Sequence, residues 1–166
     1  DVLFMPTEQD LYADWQTKEY DLGYLDTILE GHYRPGHFQG VANVVHLLFL
    51  LVQPHKAFFG EKDFQQLAVI KHLTKIEQIF VQIIPCKTIR ENDGLAMSSR
   101  NKRLSVQERE QAVFIFHVLT EVKKQKNTKT VFEIQQIVQH QFATNTAFKL
   151  EYFSIVDGDT LQIINN

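Results

Sequence analysis

Between Lys56 and Ile84 the chain reads strand, helix, strand, and that pattern limits the fold more than any other feature of the sequence. Lys56–Phe59 is a short apolar strand ended by Gly60. From Asp63 to about Glu77, Leu67, Ile70, Leu73 and Ile76 recur at the spacing of one helix face. Ile79–Ile84 is β-branched and apolar enough for a strand covered on both sides. Strands separated by single helices imply βαβ units and a parallel sheet, so this half is expected to be α/β. Upstream, Val2–Met5 reads as another buried strand and Leu25–Leu29 as a short strand or helical turn. Phe38, Val41, Val45, Leu48 and Val52 form the apolar stripe of a helix between Pro35 and Pro54.

After Pro85 the grammar changes. A polar stretch from Lys87 to Arg103 leads into two helices, each announced by a capping box, Ser105 with Glu108 and Thr130 with Glu133. The first runs to about Gln125 with Val113, Phe116, Leu119 and Val122 as its stripe; the second buries Val131, Ile134, Ile137 and Val138. Leu150–Val156 and a segment from Leu161 read as strands paired across the turn Asp157-Gly158-Asp159. Helices followed by a hairpin make a small α+β unit, with the boundary near residues 85–90.

Composition narrows the partners. Seventeen Lys+Arg against 20 Asp+Glu give a formal charge of −3, which offers no electrostatic case for nucleic acid or an anionic membrane surface. No apolar run approaches the roughly 20 residues that span a bilayer. Cys86 is the single cysteine and cannot form an internal disulfide, which points to a reducing, cytoplasmic setting. The sequence opens on Asp1 and closes on Asn166, both beside strand-like segments, and is therefore expected to be a fragment.

Three stretches can carry chemistry. Phe59-Gly60-Glu61-Lys62-Asp63-Phe64-Gln65-Gln66 lies on a strand-to-helix junction, where open α/β sheets bind ligands. Gly60 permits close backbone approach, the helix start offers unpaired N–H groups, and Lys62 adds a positive charge suited to phosphate. Asp63 and Gln66 also have capping-box spacing, so a plain capped turn remains open. Asp93-Gly94-Leu95-Ala96-Met97-Ser98-Ser99-Arg100-Asn101 offers two hydroxyls and a guanidinium that could close over a triphosphate; a solvated linker is the other reading. Glu30-Gly31-His32-Tyr33-Arg34-Pro35-Gly36-His37-Phe38-Gln39-Gly40 is expected to be structural, because His32 and His37 match no usual metal-ligand spacing. No metal site is expected from the side chains.

Taken in order, these stretches resemble the pantothenate synthetase (pantoate–β-alanine ligase) family along essentially the whole chain. The resemblance implies the second part of a Rossmann-like, class I tRNA-synthetase/nucleotidyltransferase-type parallel-sheet domain over residues 1–87. A small α+β domain, incomplete at its carboxyl end, would occupy 88–166. It implies ATP and Mg2+, with pantoate and β-alanine as the other small-molecule substrates, and a homodimer. Phe59, Gly60, Glu61, Lys62 and Asp63 would line the ATP site, Lys62 on the phosphates and Asp63 near the ribose, with Ile89 beside the adenine. Gln66 would hold pantoate. Met97, Ser98, Ser99 and Arg100 would correspond to the KMSKS-type phosphate loop, and Lys62, Ser98, Ser99 and Arg100 would act in catalysis. The family's HIGH-type paired histidines and an early pantoate-binding glutamine have no counterpart in these residues. The 166 residues alone are therefore expected to be inactive, with a non-catalytic nucleotide-binding or oligomerisation module as the alternative.

Overall fold

A computed structural model describes residues 2–165. The chain divides into two compact units, the first ending at Cys86 and the second beginning at Lys87.

The first unit is built around two long helices and a parallel pair of strands. In order come α1 (Glu8–Tyr12), a 3-10 turn (Gly23–Asp26), α2 (Leu29–Tyr33), α3 (His37–Val52), β1 (Lys56–Gly60), a 3-10 turn (Glu61–Asp63), α4 (Phe64–Ile76) and β2 (Gln82–Cys86). The strands pair in parallel register from Lys56 opposite Gln82 to Gly60 opposite Cys86, with α4 as the crossover. This is the expected βαβ unit. Leu67, Val69, Ile70 and Leu73 of α4 pack with Phe38, Ala42, Val45 and Phe49 of α3 in the core, each at most 9% exposed. The buried face of α3 is thus turned from the stripe anticipated, and Val52 is exposed. Helix α3 stops because Gln53 precedes Pro54, whose ring disfavours the α region for its neighbour; Gln53 adopts φ 46° instead.

Two sequence expectations need correction here. Val2–Met5 forms no strand, and Val2, Leu3 and Met5 are 77–96% exposed: a ladder needs a hydrogen-bonding neighbour, and β1 and β2 pair only with each other among the described residues. The second strand starts at Gln82 rather than Ile79. Gln78 lies at φ 53° and the Ile79 amide donates to Thr74 O, so Ile79 to Val81 are spent in leaving α4.

Polar side chains tie the segment before α2 to this core. Asn43 receives bonds from Trp15 Nε1 and the Lys18 amide and donates to Lys18 O. The buried His46 ring and the Tyr20 hydroxyl share a hydrogen bond, Nδ1 to Oη 2.8 Å. Burial, reinforced by Glu77, pushes the Tyr20 hydroxyl up to about 12, so it stays protonated. Burial also lowers the His46 pKa against the pull of Glu77, 3.7 Å away, which favours the neutral ring.

Gly31 is required by close packing. A Cβ there would sit 2.5 Å from the Asp26 carbonyl oxygen and 2.6 Å from its carbon, and backbone cannot step aside as a side chain can. Gly31→Ala should therefore destabilise the protein by about 3 kcal/mol in urea unfolding. Gly40, inside α3 with nothing within 4 Å of an added Cβ, is the control: Gly40→Ala should be neutral or stabilising by up to ~1 kcal/mol. Equal effects from the two substitutions would remove the packing argument.

The second unit holds a 3-10 helix (Ser99–Arg103), α5 (Val106–Gln125) and α6 (Val131–Ala143). Both anticipated capping boxes are formed, Ser105 with Glu108 and Thr130 with Glu133. Ile134 and Val138 of α6 and Val118 of α5 are buried, whereas Leu119, expected on the inner stripe, is 45% exposed. Phe114, Phe142 and Phe148 form a ring cluster with centroids 5.2–5.8 Å apart that joins α5, α6 and the turn after α6. The carboxyl-terminal hairpin is reduced to one antiparallel bridge, Val156 opposite Ile163. Asp157 holds its turn by accepting from the Asp159 and Thr160 amides and the Thr160 hydroxyl.

Candidate active site

The first group of expected site residues sits where β1 hands over to α4. Gly60 is the last residue of β1 and lies beside Cys86, so the carboxyl ends of both strands share one edge. Phe59 is half-buried, its ring edge-on to Phe49. Gly60 has φ −72° and ψ 134°, ordinary extended backbone, and an added Cβ would meet nothing within 4 Å. Neither its conformation nor packing among the described residues demands glycine there. Open space in front of the backbone is what a closely approaching ligand needs.

Glu61, Lys62 and Asp63 form the 3-10 turn that leads into α4. Lys62 Nζ lies 3.4 Å from Asp63 Oδ1, and both side chains are largely exposed, so this is a weak, solvent-screened pair. The ammonium stands near the start of a 13-residue helix, where unpaired N–H groups and the helix dipole also favour anions. The capping box between Asp63 and Gln66 is not formed: Asp63 is the N-cap residue of α4 but makes no side-chain cap bond. Its φ of −102° and ψ of 63°, set by the preceding 3-10 turn, depart from the extended backbone of the boxes at Ser105 and Thr130. Asp63 is exposed and Gln66 half-buried.

Gln65, which no sequence pattern singles out, anchors this junction. It is 7% exposed; its Oε1 accepts from the Glu30 amide and its Nε2 donates to Leu25 O and Ile28 O, all within 3.0 Å. The start of α4 is thereby fixed to the segment before α2. With Gln65 committed inward, Gln66 points about 100° further around the helix. No periodicity distinguishes the two glutamines, so only the hydrogen bonds separate their roles.

The second group lies in the second unit. Ile89 and Met97 are 71% and 51% exposed, and the Met97 amide donates to Ile89 O. Residues between them fold into a tight hairpin with an Arg90–Ala96 bridge and the Glu91 amide donating to Leu95 O. Ser98 caps the 3-10 helix, its Oγ accepting from the Arg100 amide at 3.2 Å, and Ser99 and Arg100 are exposed. A concavity of about 600 Å3 is lined by Glu91, Met97, Ser98, Ser99, Lys102 and Arg109, among others. This stretch is ordered by its own hydrogen bonds, unlike a solvated linker. A further concavity of about 550 Å3, beside α6 and residues 145–153, includes none of the expected site residues.

A family model described as pantoate–β-alanine ligase matches residues 1–166. The chain belongs to the pantoate–β-alanine ligase family. Pantothenate synthetase of Bacteroides fragilis strain ATCC 25285 is 45% identical over 163 residues, which is 98% of this chain and 58% of that protein. The enzyme of that name from Porphyromonas gingivalis strain W83 is 43% identical over 164 residues, again 58% of its length. A crystal structure of the pantoate–β-alanine ligase of Thermus thermophilus matches with a TM-score of 0.93 at 37% identity, covering 100% of this chain and 61% of that one. The ligase of Francisella tularensis, solved as a complex with β,γ ATP and β-alanine, matches with a TM-score of 0.66 at 36% identity, over 81% of this chain and 51% of that one. The chain thus spans about three fifths of the length of the curated ligases it matches. The likeness bears out the α/β class with a parallel sheet. Among the described residues no helix is long and apolar enough to cross a membrane, and no three carboxylate, imidazole or thiol groups come together as a metal cage.

Proposed function

We propose that this protein works as an ATP-dependent ligase that joins pantoate to β-alanine through a pantoyl-adenylate intermediate. A pantoate carboxylate oxygen attacks the α-phosphorus of ATP, the bond from that phosphorus to the bridging oxygen breaks, and pyrophosphate leaves. The amine of β-alanine then attacks the acyl carbon, and AMP departs with the oxygen it shares with that carbon. The reading rests above all on Gly60, a glycine that no described residue requires, placed beside Lys62 at the carboxyl edge of a parallel sheet.

In this reading residues 1–87 are the back of the nucleotide-binding domain and residues 88–166 a small second domain. Lys62 offsets charge on the triphosphate, Asp63 lies near the ribose and Ile89 packs against adenine. Phe59, Gly60 and Glu61 complete the wall of the ATP site, and Gln66 holds pantoate. Ser98, Ser99 and Arg100, with Met97, act on the phosphates as pyrophosphate forms. Mg2+ would arrive on the nucleotide's own phosphates. The half-buried single thiol of Cys86 suits a cytoplasmic setting, and exposed Phe58 and Phe80 give apolar surface for a second copy or for further sheet.

One observation favours a narrower role for the 166 residues by themselves. They contain no His-x-x-His pattern, so a nucleotide-binding module without turnover is the second reading for this piece alone. The full-length protein should catalyse pantoate-dependent exchange of labelled pyrophosphate into ATP, and the 166 residues alone should not. A folded full-length protein without exchange would reject the ligase. Exchange by the 166 residues alone would show that the paired histidines are dispensable.

A further inference from the structure

The phosphate-loop candidate does not stand on its own residues. It continues from a hairpin that is fastened to α5 at several points. Asp93 divides its two oxygens between separate tasks. Oδ1 accepts from the Leu95 amide at 3.1 Å and closes the turn, while Oδ2 lies 2.8 Å from Nη1 of Arg109, in the first turn of α5. Gly94, at φ 93°, lies so close against the Phe116 ring that an added Cβ would collide with it. Arg90 donates to Gly94 O and carries its guanidinium over the same ring, 4.7 Å from the centroid. Beyond the hairpin, Asn101 Nδ2 donates to Ala96 O. Met97, Ser98 and Ser99 therefore leave from a base fixed at both ends.

We propose that the Asp93–Arg109 pair is a positioning latch: it sets the base of the 97–100 loop on α5 and so aims the Ser98 and Ser99 hydroxyls and Arg100 at the phosphates. The proposal rests on the ligase reading above. The pair keeps the Asp93 carboxyl well below the usual carboxylate range, so both partners are charged throughout the neutral range. Exposed ion pairs contribute little to global stability. A role in aiming is therefore separable from a role in folding, because small displacements of catalytic groups are costly in rate. Arg109 also lines the concavity shared by Ser98 and Ser99, so direct contact with phosphate is the competing role, and it predicts a different mutant pattern.

The test is a double-mutant cycle in the full-length protein. Asp93→Asn keeps an oxygen for the Leu95 amide and removes the charge facing Arg109; Arg109→Ala removes the other partner. Each should lower kcat for pantoate-dependent ATP–pyrophosphate exchange by about tenfold with the KM for pantoate unchanged. The double variant should be no slower than the slower single one, as residues acting through one contact require, and Arg109→Lys should recover part of the rate. Amide hydrogen exchange at Leu95 and Met97 should speed up in both single variants. Additive losses, or a far larger loss for Arg109→Ala than for Asp93→Asn, would overturn the latch in favour of direct phosphate binding. Wild-type rates in both, or losses confined to the KM for pantoate, would overturn it outright. Absence of exchange in the unmodified protein would instead defeat the ligase reading on which the latch depends.

Discussion

Lys62→Ala in the full-length protein should lower the rate of pantoate-dependent ATP–pyrophosphate exchange by on the order of a hundredfold, the usual cost of removing one electrostatic donor from a developing charge. The lysine stands at the start of α4, beside a glycine that leaves room for phosphate and with a neighbouring carboxylate 3.4 Å away. That carboxylate is too exposed to hold it firmly. Removing the side chain should leave the thermal midpoint nearly unchanged, since 43% of it is already in water and its ion pair with Asp63 is weak. Loss of rate without loss of fold separates a phosphate ligand from a structural lysine. Lys62→Arg should recover only part of the rate, because a planar guanidinium replaces a compact point charge. Near-wild-type exchange by Lys62→Ala would remove the residue from the mechanism and leave the β1–α4 junction an ordinary turn.

What could be read ahead of the structure was what short-range chemistry determines. Ser105 with Glu108 and Thr130 with Glu133 marked two helix starts to the residue, since a capping box is satisfied by its own four positions. The same spacing at Asp63 and Gln66 failed, because the 3-10 turn from Glu61 leaves Asp63 outside the backbone geometry a box needs. Strands were less legible. The strand read at Lys56–Phe59 formed and includes Gly60 as its last residue, but Ile79 to Val81, equally apolar, were drawn into the exit from α4 through Gln78. Val2 to Met5 have strand composition but no strand partner among the described residues, and pairing is a property of two segments. Candidates for the site could be named where a side chain's chemistry is local, as with Lys62 or the Ser98-Ser99 pair. They could not be named where a role depends on a distant partner. Gln65 is joined to residues 25–30, and Arg109 to Asp93, and neither bond leaves a mark on sequence spacing.

The double substitution Ser98→Ala with Ser99→Ala should reduce kcat for adenylate formation by about a hundredfold while changing the KM for ATP far less, as expected when donors act mainly on charge that develops during the reaction. The two hydroxyls are not equivalent, and the single variants use that difference. Ser98 Oγ accepts from the Arg100 amide, so its loss also strips a cap from the short helix and loosens Arg100; helix caps of this kind stabilise by roughly 1 kcal/mol. Ser99 is exposed and is not the residue that caps. If the loop acted only through its shape, Ser98→Ala would reproduce the double variant and Ser99→Ala would be silent. If both hydroxyls donate to the departing pyrophosphate, Ser99→Ala alone should lower kcat by about tenfold without moving the thermal midpoint. Ser98→Thr, which keeps the capping oxygen, should retain more activity than Ser98→Ala. Unchanged turnover in the double variant would take the loop out of the chemistry, because the hydroxyls and the cap would then both be dispensable.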